Sequence, residues 1–387
     1  MRILIAHSSY RLAGGEDRYV AQQRELLSKH HEVDLLLKSN TDVTSGVRAF
    51  GQMLYSREVL NEVRERIHTF QPDVIHLHNS YPALGPAVPL AAKKEGVPLV
   101  MTVHNYRLRC PNGLTFTEGE LCTRCVKGNY AHATLHQCFP TRSQAVAYAA
   151  GLWAHRFVLS TQDKVDLYIG PSQFVVDRLV AWGIEAERAT LVRNFTDAPS
   201  GSSDPGEHGI YMGRLSSEKG LEVLIEALAR AGNPPFLFIG TGPLEADLKG
   251  LTRNKGLSNS RFLGFLGPTE LRGFMRNARF VAFPSLWHEN APLAALEAMA
   301  AGRPLLVTDR GGMPELVGAR AGLSFRAGDA DAAARAIKRF MEDDSLCRSA
   351  GQAAADFARE ELTPQRHLRN LERSYQRVMA SEVKTDE

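Results

Sequence analysis

The sequence predicts an α/β protein of two doubly wound, Rossmann-like domains facing each other across a cleft, and three observations carry this. Short apolar runs alternate with stretches of helical spacing through most of the 387 residues. The rhythm stops at the polar segment Pro199-Ser-Gly-Ser-Ser-Asp-Pro-Gly-Glu207 and then restarts. A chain of this length, 44% hydrophobic and 23% charged, is also too long for one small core. The expected boundaries are a first domain over 1–198, a linker over 199–207, a second domain over 208–365 and a terminal helix over 366–387.

In the first domain, Arg2–Ala6 reads as a strand. Gly14-Gly15 follows at the turn into a helix from Glu16 to about Lys29, where glycine lets backbone N–H groups approach an anion. The third glycine of the dinucleotide fingerprint is absent, and the strand Val33–Leu37 runs into Lys38 and Ser39 instead of an acidic residue, so an ordinary turn is the competing reading. Arg57–Phe70 is an amphipathic helix, Asp73–His78 a strand leading to Asn79, and Leu84–Lys94 a helix. The strand Val97–Val103 delivers His104-Asn105 at its carboxyl end, where a histidine can touch substrate or serve structure.

Between residues 105 and 142 the α/β rhythm breaks. Cys110, Cys122, Cys125 and Cys138 form the pattern C-x11-C-x2-C-x12-C, with Gly113, Gly119 and Gly128 as turn formers. Cys-x2-Cys lets two thiolates reach one metal from a tight turn, and two outlying cysteines complete a tetrahedral set. A structural zinc that orders the loop and performs no chemistry is one reading; an iron–sulfur cluster and a labile disulfide are the others. His132 or His136 could replace one thiolate. Ser143 to about Thr161 is helical, and Tyr148, Leu152, Trp153, Phe157 and Leu159 read as a core face in preference to a membrane-surface one. Strand Asp166–Gly170, a helix to Trp182 and strand Thr190–Arg193 complete the domain.

The second domain runs strand Gly209–Met212, helix Leu221–Ala231, strand Phe236–Ile239, helix Leu244–Lys255, strand Arg261–Leu263 and helix Thr269–Asn277. The apolar run Phe280–Phe283 is a buried strand closed by Pro284-Ser285. Trp287-His288-Glu289-Asn290 is a polar loop, and Pro292 stands in the first turn of a helix with Leu293, Leu296, Met299 and Ala300 at helical spacing. Gly302 and Pro304 stop that helix before strand Leu305–Val307. Glu289 therefore stands at the carboxyl end of a parallel strand, and Glu297 about two turns into the helix, where a carboxylate among Ala and Leu needs a hydroxyl partner. The bland alternative is that both are solvated or bond neighbouring loops.

Three further loops end strands of this domain. Gly213-Arg214-Leu-Ser-Ser-Glu-Lys219-Gly220 sets two cations beside a helix N-terminus and suits a diphosphate, without the ending of a P-loop. Gly240-Thr-Gly242-Pro243 allows close approach of a base or ribose, and Gly311-Gly-Met-Pro-Glu315 offers more backbone donors. Asp329-Ala-Asp331 reads as a helix start and not a metal-diphosphate motif; from Asp329 the chain is helical to about Ala380, ending in a frayed Lys384–Glu387.

The net charge of +3 and pI of about 8.6 are too mild to indicate nucleic acid. MRILIAHSS lacks a signal-peptide segment and no apolar run reaches the roughly 18 residues of a membrane span, so a cytoplasmic location is expected.

G-R-L-S-S-E-K-G, G-T-G-P, F-P-S-L-W-H-E-N-A-P-L-A-A-L-E-A-M-A-A-G-R-P and G-G-M-P-E, in this order and spacing, resemble the donor half of family-4 retaining glycosyltransferases of the GT-B fold. The resemblance implies that Arg214 and Lys219 bind the diphosphate of a nucleotide-sugar donor, with Gly213, Gly240 and Gly242 among the donor-binding residues. It implies that Glu289 holds the transferred sugar beside the backbone of Asn290, Ala291, Pro292 and Leu293, and that Glu297 bonds ribose. Gly15 and His104 match first-domain positions near the phosphate and the sugar, and the last helix is expected to cross back to the first domain. The implied reaction moves a sugar from a UDP- or GDP-sugar to a glycan or lipid-linked acceptor in polysaccharide synthesis, with retention, by a front-face route and with no divalent metal. A peripheral contact with the inner face of a membrane fits such acceptors. An epimerase, a phosphorylase or a non-catalytic partner using its Cys-rich loop are the rival readings.

Overall fold

A computed structural model describes residues 1–10, 14–40, 46–198, 201–318 and 320–382. Arg11–Ala13 of the first glycine loop, Pro199-Ser200 of the linker and the expected frayed end Lys384–Glu387 lie outside them. The chain divides into two units. One comprises Met1–Glu118, Cys122–Arg193 and the residues from Gln365; the other comprises Gly119–Leu121 and Asn194–Pro364.

The first unit is a parallel sheet of β1 (Arg2–Ser9), β2 (Glu32–Ser39), β3 (Val74–Leu77), β4 (Leu99–Thr102), β5 (Leu167–Gly170) and β6 (Ala189–Leu191) in the order β2-β1-β3-β4-β5-β6. Ile3, Leu4, Ile5, Val74, Ile75, Leu99 and Val100 have no accessible surface, so the central strands are covered on both faces and read as continuous apolar runs. The C-terminal helix Pro364–Glu382 packs on this unit: the Tyr375 hydroxyl lies 2.6 Å from His76 Nδ1, and His367 Nε2 lies 3.2 Å from the Tyr19 hydroxyl.

The second unit is a parallel sheet of β7 (His208–Met212), β8 (Phe236–Ile239), β9 (Ser260–Gly264), β10 (Ala278–Phe283), β11 (Leu305–Thr308) and β12 (Gly322–Phe325), in the order β9-β8-β7-β10-β11-β12. Its side chains alternate between two cores. Ile210, Met212, Val281, Phe283 and Val307 face one, and Tyr211, Phe236, Phe238, Phe280 and Leu306 face the other.

Several expectations need correction. The polar stretch after Asn194 belongs to the second unit instead of floating between the two: the Thr196 amide donates to Leu362 O at 3.0 Å, the Gly201 amide to Ala300 O at 3.0 Å, and Arg303 Nη1 to Asp204 O at 2.7 Å. Its glycines allow close packing against backbone, since a Cβ on Gly206 would come within 1.8 Å of Asn277 O. Strand β12 and the helices Gly46–Leu54 and Met313–Val317 carry no periodic signal long enough to read; the last of these replaces the open turn expected over Gly311–Glu315. The stretch after residue 142 is an α-helix, Arg142–Trp153, continued by one π-helical turn, Ala154–Val158. Leu152 is buried, but Trp153 and Phe157 are 51% exposed, so they are not core.

Candidate active site

The strand order of the second unit reverses between β7 and β10, and the loops leaving these strands lie at their carboxyl ends, where open α/β sheets bind ligands. Loop 213–220 is fastened to its neighbours through backbone. The Leu215 amide donates to Thr241 O at 3.0 Å and the Leu286 amide to Glu218 O at 2.9 Å. The Tyr211 hydroxyl donates to Arg214 O at 2.7 Å. Gly240, at φ +127°, lets the next loop touch: a Cβ there would lie 2.0 Å from Gly213 O.

Glu289 sits at the centre. Lys219 Nζ donates to its Oε1 at 2.6 Å and Ser285 Oγ to the same oxygen at 2.7 Å. Lys219 Nζ also lies 4.9 Å from the centre of the Trp287 ring. Glu289 is only 5% exposed. Burial pushes its carboxyl up, yet the Lys219 ammonium and the hydrogen bonds from Lys219 and Ser285 outweigh it and hold the group below the usual carboxylate range. The loop is pinned from the other side as well. The Gly312 amide donates to Glu289 O at 2.7 Å, Thr308 Oγ1 to Ser285 O at 2.8 Å, and Asn194 Nδ2 to Ala291 O at 3.1 Å.

Pro292 proves to be the N-cap of the helix Leu293–Ala300, at φ −67° and ψ 130°, one position earlier than expected. Its extended backbone aims the first-turn amides of Leu293 and Ala294 out of the helix start. Glu297 lies half-buried on the second turn. Arg214 is exposed on the β7 loop, five residues before Lys219. Thus one unit brings Lys219 and Glu289 into contact, and it holds Gly213, Arg214, Gly240, Gly242, Asn290, Ala291, Pro292, Leu293 and Glu297 on the loops around the same reversal of strand order. Ser285, Trp287 and Asn194 complete the support. Sequence reading passed over them because Ser285 only closes a strand, Trp287 only stands in a polar loop and Asn194 only follows a strand.

Gly311 adopts φ +66°, and a Cβ on it would stand 2.1 Å from Glu289 O. Gly311→Ala should therefore shift the Glu289 loop, cost about 1–3 kcal/mol of stability and reduce turnover more than tenfold. An unchanged melting temperature and rate would show that the loop yields without consequence.

Gly15 and His104 belong to the first unit. Gly15 opens the helix Gly15–Ser28, and a Cβ there would meet nothing within 4 Å, so no protein neighbour requires a glycine. His104 Nε2 lies 2.9 Å from His78 Nδ1, and its ring centroid is 5.1 Å from that of Tyr19. Burial, with His7 and His76 nearby, lowers His104 to about 3, so it works as a neutral hydrogen-bonding imidazole. Sequence reading also missed Glu16. Its carboxylate accepts from the Tyr10 hydroxyl at 2.8 Å and stands 3.5 Å from Asn105 Nδ2, and burial raises it to about 7 despite these bonds and Arg107. Between the ordinary 4.5 and about 7 the folded chain keeps a proton the unfolded chain has lost, so this group's stabilisation is full below 4.5 and falls as pH rises to 7. Relative to wild type, Glu16→Gln should gain up to about 3 kcal/mol between pH 5 and 8, read as a growing difference in unfolding free energy. A difference independent of pH would contradict this.

The four loop cysteines are free and line one small cavity together with Asn112 and His132. Among the described residues no three His, Cys, Asp or Glu side chains stand ready to hold a metal ion. Asp329 caps the helix Ala330–Glu342 by accepting from the Ala332 amide at 2.8 Å, and Asp331 pairs with Arg230 Nη1 at 2.7 Å. No helix among the described residues is long and apolar enough to cross a membrane.

A family model described as glycosyl transferases group 1 matches residues 193–357, and one described as glycosyl transferase 4-like domain matches residues 14–194. The chain belongs to the group 1 glycosyltransferases. This glycosyltransferase is 28% identical to the 2-deoxystreptamine glucosyltransferase of Streptomyces kanamyceticus over 76% of its own length and 75% of that protein's. It is 28% identical to the glycogen synthase of Mycobacterium tuberculosis over 76% of its own length and 65% of the relative's. Its fold is GT-B, as in Anabaena HepE in complex with UDP and glucose, which superposes at a TM-score of 0.68 with 21% identity over 97% of this chain and 99% of that one.

Proposed function

We propose that this glycosyltransferase moves a hexosyl unit from a UDP- or GDP-sugar to a hydroxyl of a glycan or lipid-linked acceptor in polysaccharide synthesis, with retention and without a divalent metal. The observation that supports it most is the Lys219–Glu289 pair, 2.6 Å apart where the strand order reverses. Breaking the sugar–phosphate bond leaves negative charge on the diphosphate and positive charge on the ring. Lys219, Arg214 and the amides at the start of Leu293–Ala300 would receive the first. Glu289, held ionised, accepts hydrogen bonds from hydroxyls of the transferred sugar, and Glu297 does the same for ribose. Glu289 is already engaged by Lys219 and Ser285, so it positions the sugar and does not attack it. The acceptor hydroxyl then attacks from the face the diphosphate leaves, and a phosphate oxygen takes its proton.

A panel of UDP-, GDP- and ADP-sugars tests the donor, since a ligand at about 100 times its dissociation constant adds about 2.7 kcal/mol of stability. Nuclear magnetic resonance of the product, formed with EDTA present, then tests the reaction. An inverted anomeric centre, loss of turnover with EDTA, or conversion of the nucleotide-sugar without acceptor would each reject the corresponding part. Full turnover by Glu289→Ala would reject the central residue.

The acceptor reading includes a peripheral membrane contact. Val146, Trp153 and Phe157 recur at helical spacing and are 52%, 51% and 51% exposed, with Arg142 and Arg156 on the same helical segment. Apolar rings flanked by cations suit an anionic lipid surface. Vesicles containing phosphatidylglycerol should sediment the wild type and not Trp153→Glu/Phe157→Glu; equal sedimentation would remove the membrane from the proposal.

A further inference from the structure

We infer that Cys110, Cys122, Cys125 and Cys138 form a structural zinc site that ties the turns of residues 110–138 to one another. The site is separate from the transfer chemistry. The sulfurs come from three turns well apart in sequence, yet all line the one cavity. Arg124 Nη1 donates toward Cys122 Sγ at 3.7 Å, the kind of bond that orients a metal-bound thiolate.

The segment needs a fastening. Its regular structure is limited to two-residue strands, Phe116–Thr117 and Glu120–Leu121, and a four-residue helix, His132–Leu135. Thr115, Glu118 and Gln137 hold positive φ of 48°, 53° and 47°, conformations that persist only where the surroundings over-determine them. Cys125 joins a hydrophobic cluster with Met53, Tyr81, Tyr130 and Leu152. So long a stretch with so little core of its own is where a metal link contributes most.

As they stand, the side chains are not yet ligands: no three reach a metal geometry, and Cys110 Sγ donates to Asn112 Oδ1 at 2.9 Å. Zinc would replace that bond and draw the sulfurs together by side-chain rotation, each thiol giving its proton to solvent. Four thiolates make a closed tetrahedral shell, so the ion would hold structure without opening a coordination position.

The full chain, expressed with zinc in the medium and purified without chelator, should carry about one zinc by emission spectrometry. Cys122→Ser/Cys125→Ser should carry less than a fifth of that, and Cys347→Ser, whose thiol is buried in the other unit, should keep it all. Should the double variant fail to fold, a mercurial thiol reagent titrated into the wild type should release about one zinc per four loop thiols, read with a chromophoric chelator. Less than about half a zinc per chain, stoichiometric iron with sulfide, or a disulfide between any two of the four in peptide mass spectrometry would each overturn the inference.

Discussion

Acidification from pH 7.5 to 5 should unfold the first unit well before the second. His7, His76, His78 and His367 are at most 2% exposed, and His104 stands against them, its ring centroid 5.2 Å from that of His78. Their neighbours are mostly neutral. His76 faces Thr102 and the Tyr375 hydroxyl, His367 faces Tyr19, Gln23 and Arg193 O, and His7 faces a carboxylate, Asp17 at 2.9 Å. Burial lowers His76 and His104 to about 3 and His367 to about 4, and it lowers His155, which sits between Tyr81 and Met53 O, to about 4. The sign follows from linkage. Each group is neutral when folded and titrates at an ordinary 6.5 when unfolded, so its stabilisation is full above 6.5 and is lost as pH falls toward the folded value. At pH 5 each of these four has lost about 2 kcal/mol. Together this is about 8 kcal/mol, of which Glu16 returns about 3 as it takes up its proton, and the remaining loss of about 5 is comparable with the whole stability of a domain. The second unit holds only His208 and His288. Calorimetry at pH 7.5, 6 and 5 should show an early transition moving down steeply while a later one stays; a melting profile unchanged at pH 5 would contradict it.

The histidines show where sequence reading stops. The strands were legible because each is a continuous apolar run closed by a turn, and the helix Arg57–Phe70 because its periodicity spans four turns. The Lys219, Glu289 and glycine loops were legible because each follows directly on a strand. No spacing rule, however, brings His7, His76, His78, His104 and His367 together. They come from the carboxyl ends of β1, β3 and β4 and from a helix 263 residues beyond His104, and only the sheet order makes them neighbours. Glu16 was hidden for the same reason: its partners Tyr10 and Asn105 close around it from two strand ends. The exposed Trp153 and Phe157 failed differently. Helical spacing says that side chains share a face but not whether that face turns inward.

Lys219→Ala should reduce kcat/KM by two to three orders of magnitude, about 2–4 kcal/mol of transition-state stabilisation. It should also destabilise the second unit, for a reason distinct from catalysis. Glu289 would keep its burial and the hydrogen bond from Ser285 but lose the ammonium that holds it ionised. Removing one member of a buried pair costs about 3–5 kcal/mol when the other stays charged, and Glu289 can escape part of that only by taking a proton. In the wild type its depressed value stabilises the fold above the ordinary 4.5 and ceases to do so as pH falls through it; in the variant the sign reverses, and stability should drop as pH rises from 5 to 8. Adding Glu289→Gln separates the two roles. The neutral amide no longer needs a cation, so the double variant should recover most of the lost stability, with a coupling energy of about 1–3 kcal/mol in the cycle, while turnover stays as low as in either single variant. Additive losses in stability would show that the 2.6 Å contact is not an energetic unit. Recovered turnover would remove Lys219 and Glu289 from the transfer step altogether, because a pair that serves only the fold can be replaced by any well-packed neutral pair.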